Sequence, residues 1–405
     1  MSENSKIEWT DHTFNPWEGC QKVGPGCDHC YAEARNARFS GGAAVNWGPG
    51  APRRRTSAAN WRKPLAWNAR EFFQCNDCGH RGFGRPYLDV NPGTGGVLGD
   101  GHECEVCRSR DIEPVRMRVF CASLADVFDN AAPAAWRRDL AALIEATPAL
   151  DWLLLTKRIG NAAAMLVDMF PAGTPDHVWL GATVVNQTEA DRDVPKLLAT
   201  PARVRFLSIE PMLGQVDIAR WLDPTGVHCM DVCADTRYVK AGEVETYTAN
   251  GESVPLCPAC GESASWTGYD DGIDWVIAGG ESGPVARPAH PDWFRSLRDQ
   301  CAEASVPFLF KQWGEWHTGA RLLGSGEPVF RQFVSHQQWV NKATTWVNGG
   351  ICLDRYGSEL RNGGDFMRAR DNGLFPVTIM HRTGKRAAGR LLDGRTHDEF
   401  PGDIA

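Results

Sequence analysis

What the chain lacks narrows its class before any motif is read. No stretch reaches the roughly 18 uninterrupted apolar residues of a membrane-spanning helix. The opening residues, Met1 to Lys6, are polar and carry no signal-peptide core, so a cytoplasmic location with no membrane partner is expected. Positive charge is not in excess: 43 Lys and Arg stand against 50 Asp and Glu, a net of −7 over 405 residues. That balance excludes a general nucleic-acid coat protein and leaves room only for a local basic groove. No internal repeat of about 20–50 residues is visible, which removes solenoids and propellers. Apolar residues at 42% and charged residues at 23% are ordinary, which excludes a disordered or fibrous chain.

Two residue types are abundant instead, with 14 cysteines and 16 tryptophans. In a long chain without an export signal, clustered cysteines point to metal ligands more than to a disulfide framework. They fall into three clusters, with Cys121, Cys301 and Cys352 standing apart. Cys75 and Cys78 are followed by Cys104 and Cys107, and Cys229 and Cys233 by Cys257 and Cys260. Facing pairs of this kind build a closed tetrahedral thiolate site, as in zinc ribbons. The Gly after Cys78 and after Cys260 suits a tight knuckle that needs a positive φ. The segments between the pairs read as loops too poor in apolar residues to order themselves, so metal binding supplies their stability. Structural zinc is expected at both, with an auxiliary iron–sulfur cluster as the alternative. The third cluster, Cys20, Cys27 and Cys30, has no obvious fourth ligand. Three thiolates hold three corners of a 4Fe–4S cube and leave one iron open; the alternative is zinc completed by His12 or His29.

Outside the two cysteine-rich inserts, short apolar runs alternate with helical patterns. Strands are expected at 13–19, 118–122, 152–156, 178–184, 204–209, 274–278 and 307–310, and helices at 31–39, 134–146, from 158 to about 170, 187–198 and 291–304. Continuous apolar runs such as Trp152 to Thr156 are typical of parallel strands buried on both faces. The expected class is therefore α/β, a partial (β/α) barrel of the TIM type with two zinc-ribbon-like insertions, and a doubly wound sheet is the alternative. The barrel would comprise residues 1–74, 108–225 and 270–320, the inserts 75–107 and 226–269, and a C-terminal extension 321–405. Five strands end at a polar residue: Asp126, Lys157, Glu210, Glu281 and Lys311. In a parallel barrel those ends share one rim, where catalytic residues normally lie. The basic stretch Lys385 to Arg395 reads as one helical turn and a loop that pack and cap.

A cysteine triad after the first strand, closed by Cys27-x-x-Cys30-Tyr31 and followed by a β/α array, resembles the radical SAM enzymes. Its loop is wider than most, with six residues between Cys20 and Cys27. The segments 13–20 (TFNPWEGC), 279–283 (GGESG), 310–314 (FKQWG) and 389–395 (GRLLDGR) are similar to a phage and mobile-element family of unassigned reaction. Cys27-x-x-Cys30-Tyr31, Ser123-Leu124-Ala125-Asp126 and Leu155-Thr156-Lys157 are more distantly similar to spore photoproduct lyase. The resemblance implies a 4Fe–4S cluster on Cys20, Cys27 and Cys30 that takes an electron from an external donor. It implies reductive cleavage of S-adenosylmethionine to methionine and a 5′-deoxyadenosyl radical. That radical would abstract hydrogen from a nucleotide, a nucleic-acid base or a related phage substrate. Ser123, Asp126 and Arg158 are then candidates for cofactor binding, and Lys157, Glu210, Glu281 and Lys311 for catalysis.

A competing expectation is a non-catalytic zinc-ribbon protein that docks nucleic acid through Arg81, Arg85, Arg108 and Arg110 with Phe83 and Tyr87. A hydrolytic metal enzyme ranks last, because His177, His290 and His317 are scattered along the chain.

Overall fold

The computed structural model describes residues 5–402, except 223, 230–235, 241–243, 250–251, 258, 268–271, 322–327, 331 and 343–349. Seven parallel strands form its central sheet: β1 (His12–Phe14), β2 (Met117–Cys121), β3 (Leu150–Thr156), β4 (Val178–Thr183), β5 (Val204–Ile209), β6 (Trp275–Gly279) and β7 (Phe308–Gln312). Their spatial order equals their chain order, and all six pairings are parallel. A doubly wound sheet reverses its order midway and puts helices on both faces. This one never reverses, so it curls as a half-barrel whose connecting helices share the outer face.

The longer connecting helices are α1 (Tyr31–Phe39), α2 (Ala134–Glu145), α3 (Ile159–Met169), α4 (Gln187–Leu198) and α5 (Pro291–Glu303). Alternate strand residues divide between two cores, as a pleated strand requires. Val119, Trp152, Leu154, Leu180, Leu207, Val276 and Phe310 pack outward against Leu140, Ile144, Leu166, Val194 and Phe294 of the helices. Trp9, Phe120, Leu153, Trp179, Phe206, Trp275, Ile277 and Leu309 fill the concave side. This aromatic layer sits toward the start of the strands, and Trp275 is the hub, with Trp9, Trp179, Phe206 and Phe400 around it. The C-terminal stretch helps close the open side: Asp398 bridges Leu309, and Phe400 lies under Arg118 of β2. Above that plug the inward positions turn polar (Thr183, Ser208, Glu210, Lys311), so the sheet has an apolar floor and a polar mouth.

Each insert combines a three-stranded antiparallel sheet with a two-stranded hairpin. In the first, Phe73–Cys75, Arg81–Gly82 and Ile112–Pro114 form the sheet and Arg85–Val90 with Val97–Glu103 the hairpin. The first insert therefore reaches beyond its cysteines, and most of the span expected to be loop is a hairpin. Only 91–96 is its turn. The hairpin's Leu88, Val97 and Leu98 are all more than half exposed, so they add no core. From Trp316 to Arg382 a five-stranded antiparallel sheet with two helices builds a small core of its own around Phe333, Phe366, Val377 and Ile379. The C-terminal extension, expected to pack on the barrel, thus carries a small core of its own. The basic segment after it does form one turn, Lys385–Ala388, and then a loop. Asp393 in that loop binds Arg295 and Arg298 of α5, while Trp313 Nε1 donates to Leu391 O at 2.8 Å.

Candidate metal centre at the sheet rim

Beyond β1 the chain continues beside the segment that follows β2. Gly19 N donates to Leu124 O at 3.0 Å, Asn15 Oδ1 accepts from Leu124 N at 2.7 Å, and Asn15 Nδ2 donates to Ser123 Oγ at 3.0 Å. Ser123 is therefore tied into this junction by its hydroxyl. Gly19 has φ +114, and a Cβ there would lie 2.6 Å from Asn46 O. The cysteine loop then folds over the rim, with Gly24 and Gly26 close against Glu189 and Val185. Cys20, Cys27 and Cys30 are all free and half-buried, and Cys30 precedes the first residue of α1.

A strap from β6 holds this loop. Glu281, buried just past β6, accepts from Arg287 N (2.7 Å), Nε (2.9 Å) and an NH2 nitrogen (2.6 Å). The same guanidinium reaches Asp28 Oδ2 at 3.0 Å and donates to Pro25 O at 2.9 Å. His29 Nδ1 lies 3.1 Å from Glu281 Oε1. Burial raises the Glu281 pKa, but the Arg287 hydrogen bonds outweigh it and hold the carboxyl below its ordinary range. Glu281 reaches this position because two glycines let two loops cross in contact. Gly280 N donates to Gln312 O and Glu315 N to Glu281 O, and any Cβ on Gly280 would sit 1.9 Å from Trp313 O. The motifs at 279–283 and 310–314 are the two halves of that crossing.

Arg158 lies beneath Cys20. One NH2 nitrogen donates to Gln21 O at 2.9 Å and sits 3.8 Å from Cys20 Sγ. Its side chain is 7% exposed, and the other terminal nitrogen is buried without a partner. Burial, with repulsion from Asp126, pushes the Cys20 thiol up to about 12, and Arg158 only partly offsets it. Asp126 is itself buried; Thr156 Oγ1, Lys157 N and Phe128 N all donate to it, so its acceptors are met within the protein. Lys157 has one polar side-chain partner, Thr183 Oγ1 at 3.4 Å, and no carboxylate partner among the described residues. Lys311 binds both oxygens of Glu210 at 2.8 Å, and Gln312 Nε2 donates to Glu210 Oε1 at 3.0 Å. The five strand-end residues thus share a rim but not a single constellation. They form one inward ion pair, one strap, one free ammonium and one buried tie. Sequence reasoning missed Arg287 and Asn15, which no local pattern distinguishes from surface residues.

Sulfur spacing discriminates between kinds of metal centre. A tetrahedral ion with metal–sulfur bonds of about 2.3 Å sets its thiolates roughly 3.8 Å apart. Cys75 and Cys107 are 3.5 Å apart, Cys78 and Cys104 3.6 Å, and Cys229 and Cys260 3.6 Å. Among the described residues, ligand atoms all within 4.8 Å of one another occur in Cys75/Cys78/Cys104/Cys107 and in Cys229/Cys257/Cys260. Cys233, expected as the fourth ligand of the second group, lies outside the described residues. Both groups fit a single ion better than a cube. The three described knuckles, at Cys75, Cys104 and Cys257, repeat one geometry: the first cysteine's N–H donates five residues on, and its C=O accepts from the residue four on. That fourth residue has positive φ, namely Gly79 (+68), Arg108 (+65) and Gly261 (+75).

Cys20, Cys27 and Cys30 do not form such a compact group. Nor do the histidines close a zinc shell around them, since His12 stacks on Trp67 and His29 faces Glu281. Three free thiols along a glycine-rich loop, with the Arg158 guanidinium 3.8 Å from Cys20 Sγ, leave room for a larger anionic group than the inserts do.

The chain is thus an α/β half-barrel protein with cysteine groups in its inserts that could hold metal, and three further free cysteines at its rim. It belongs to the family described as a protein of unknown function, DUF5131, whose match spans residues 4–401. It has no match among the curated proteins or the solved structures compared with it.

Proposed function

We propose that the protein is a radical SAM-type enzyme built on a partial (β/α) barrel of the TIM type, with two zinc-ribbon inserts that are structural. The carrying observation is the trio Cys20, Cys27 and Cys30 in the loop that follows the first strand of a sequentially ordered parallel sheet, less compact than the cysteine groups of the inserts. These thiolates would hold a 4Fe–4S cluster, which with S-adenosylmethionine supplies one-electron cleavage to a 5′-deoxyadenosyl radical. The chain's own part is positional and electrostatic. Arg287 and Glu281 fix the loop between Cys27 and Cys30. Arg158 offsets negative charge at Cys20, and Lys157 offers a second cation at the mouth for a carboxylate or phosphate. The Glu210–Lys311 pair lines the concave wall, and the aromatic plug keeps water out from below.

The competing reading, nucleic-acid docking through the first insert, loses support. Arg81 pairs with Asp11, Arg108 with Glu103 and Arg110 with Asp89, while Phe83 packs on Phe72 under Arg70.

Anaerobic reconstitution with iron and sulfide decides the matter. About four irons and four sulfides per chain are expected, lost in a Cys20/Cys27/Cys30→Ala variant, with dithionite-dependent release of methionine from S-adenosylmethionine. A colourless chain that holds only zinc would overturn the proposal.

A further inference from the structure

The face of α1 that points to solvent is unlike the rest of this acidic protein. Residues 31–55 contain five arginines and one carboxylate, Glu33, in a chain whose net charge is −7; Arg53 is buried on Asp129 and Arg55 pairs with Asp139, which leaves Arg35, Arg38 and Arg54 for the surface. Tyr31, Arg35, Arg38 and Phe39 fall at helical spacing on one stripe, and all four are exposed. Phe39 is 72% exposed and Tyr31 61%, too open to serve any core. The Arg35 and Arg38 guanidiniums lie 5.2 and 5.9 Å from the centroid of Phe39. Arg54 joins the patch from the neighbouring strand, since Arg54 and Arg35 share the carboxylate of Glu18. Arg38 has no carboxylate partner among the described residues. The Tyr31 hydroxyl is anchored on Ser123 O, which fixes its ring. The stripe begins at the residue after Cys30, and nine helical residues carry it about 12 Å from the thiols.

We infer that this stripe binds single-stranded nucleic acid and leads the strand to the cysteine rim. Aromatic rings interleaved with guanidiniums accept base faces of any sequence while the charges follow the phosphates. A duplex buries its base faces and gains less from exposed rings. A partner protein is disfavoured because Arg35, Arg38 and Arg54 have only Glu18 between them, leaving a positive excess that a nucleic acid neutralises. The inference deepens the enzymatic reading by naming its substrate class, and it depends on that reading only for the strand being substrate.

Binding is measured by fluorescence anisotropy on the full chain, as purified and after iron reconstitution, with labelled single-stranded DNA, single-stranded RNA and a duplex. Single strands are expected to bind best, and the DNA and RNA arms distinguish the two sources of the same chemistry. Phe39→Ala should weaken binding about tenfold, because it removes one stacking ring. Arg35→Gln/Arg38→Gln should lower the salt slope by about 1.4, from two lost phosphate contacts. Both variants replace exposed side chains, and unchanged melting temperatures would verify their folding. No binding to either single strand, binding indifferent to these variants, or a Phe39-dependent dimer in light scattering would each overturn the inference. None of these readouts requires iron, so absence of a cluster would count against the enzymatic reading and leave this one standing.

Discussion

Arg287 holds Glu281 and the cysteine loop at the same time. Three of its nitrogens, one of them backbone, donate to the carboxylate at 2.6–2.9 Å, and the guanidinium also reaches Asp28 and the Pro25 carbonyl. An acid that the sequence offers as a catalytic candidate is thereby committed to loop geometry. Its partner lies only six residues on, but the loop it secures is some 250 residues away in the chain.

Arg287→Met should therefore lower iron and sulfide per chain several-fold after reconstitution. Zinc should stay constant, because both inserts are remote from the strap. Glu281→Gln keeps the shape and loses the charge, so its deficit should be smaller. A merely structural residue would change the melting temperature and both metals together. Unchanged iron in Arg287→Met would sink the assignment.

The inserts make the complementary prediction. The first insert's hairpin leaves Leu88, Val97 and Leu98 more than half exposed, and among the described residues of the second insert the buried cluster is Cys229, Cys257 and Ala264, with Val244 and Cys260 beside it. Metal at the cysteine groups would supply the order that so little burial does not. About two zinc ions per chain are expected, and Cys78→Ser should remove one. Limited proteolysis should then cut within residues 75–107 and leave the half-barrel intact. Equal protease resistance with and without a chelator would contradict this account.

How far the sequence foretold the molecule follows from where its residues are buried. Strands such as Leu150–Thr156 were legible because both faces are covered, which writes a continuous apolar run. The helix Ala134–Glu145 was legible by periodicity, with Leu140, Leu143 and Ile144 buried on one face. The insert hairpins were not, because strands that bury no face, such as Arg85–Val90 and Val97–Glu103, write no apolar pattern. The layer from Trp316 to Arg382 was obscured by its short strands, several of only two residues. At the rim, charge marked the strand ends correctly, but charge alone does not tell a free ammonium such as Lys157 from a buried tie such as Asp126. That distinction rests on partners brought in from remote segments.

Stability should depend on pH through His290. This fully buried residue caps α5, its Nδ1 accepting from Asp292 N at 3.2 Å. Burial holds its pKa down to about 4; Asp292 and Asp354 oppose the shift, while Arg295 and Arg355 reinforce it. The folded state thus keeps the ring neutral, whereas the unfolded chain takes a proton below about 6.5. Stability must fall as pH drops from about 6.5 toward 4, by about 2–3 kcal/mol from this group. His290→Asn retains a cap acceptor that cannot titrate in this range. Its denaturation midpoint should vary less with pH across that window. An identical pH profile in the two proteins would refute the role.

The loop crossing that presents Glu281 yields the most direct steric test. Gly280→Ala would bring a Cβ within 1.9 Å of Trp313 O, and Gly314→Ala within 2.1 Å of Glu281 O at φ +80. Backbone stands on both sides, so neither clash is relieved by turning a side chain. Each change should cost more than about 3 kcal/mol, while the pair should cost less than the sum, because either one already forces the loops apart. Gly283→Ala is the control: its φ is +111, but nothing lies within 4 Å of the added carbon. Only backbone strain remains there, about 1–2 kcal/mol. Denaturant unfolding of the four proteins gives the order, and iron loading should follow it, since separating the loops withdraws Glu281 from Arg287. If Gly280→Ala proved no worse than Gly283→Ala, the two motifs would not meet in contact, and the strap would need another foundation.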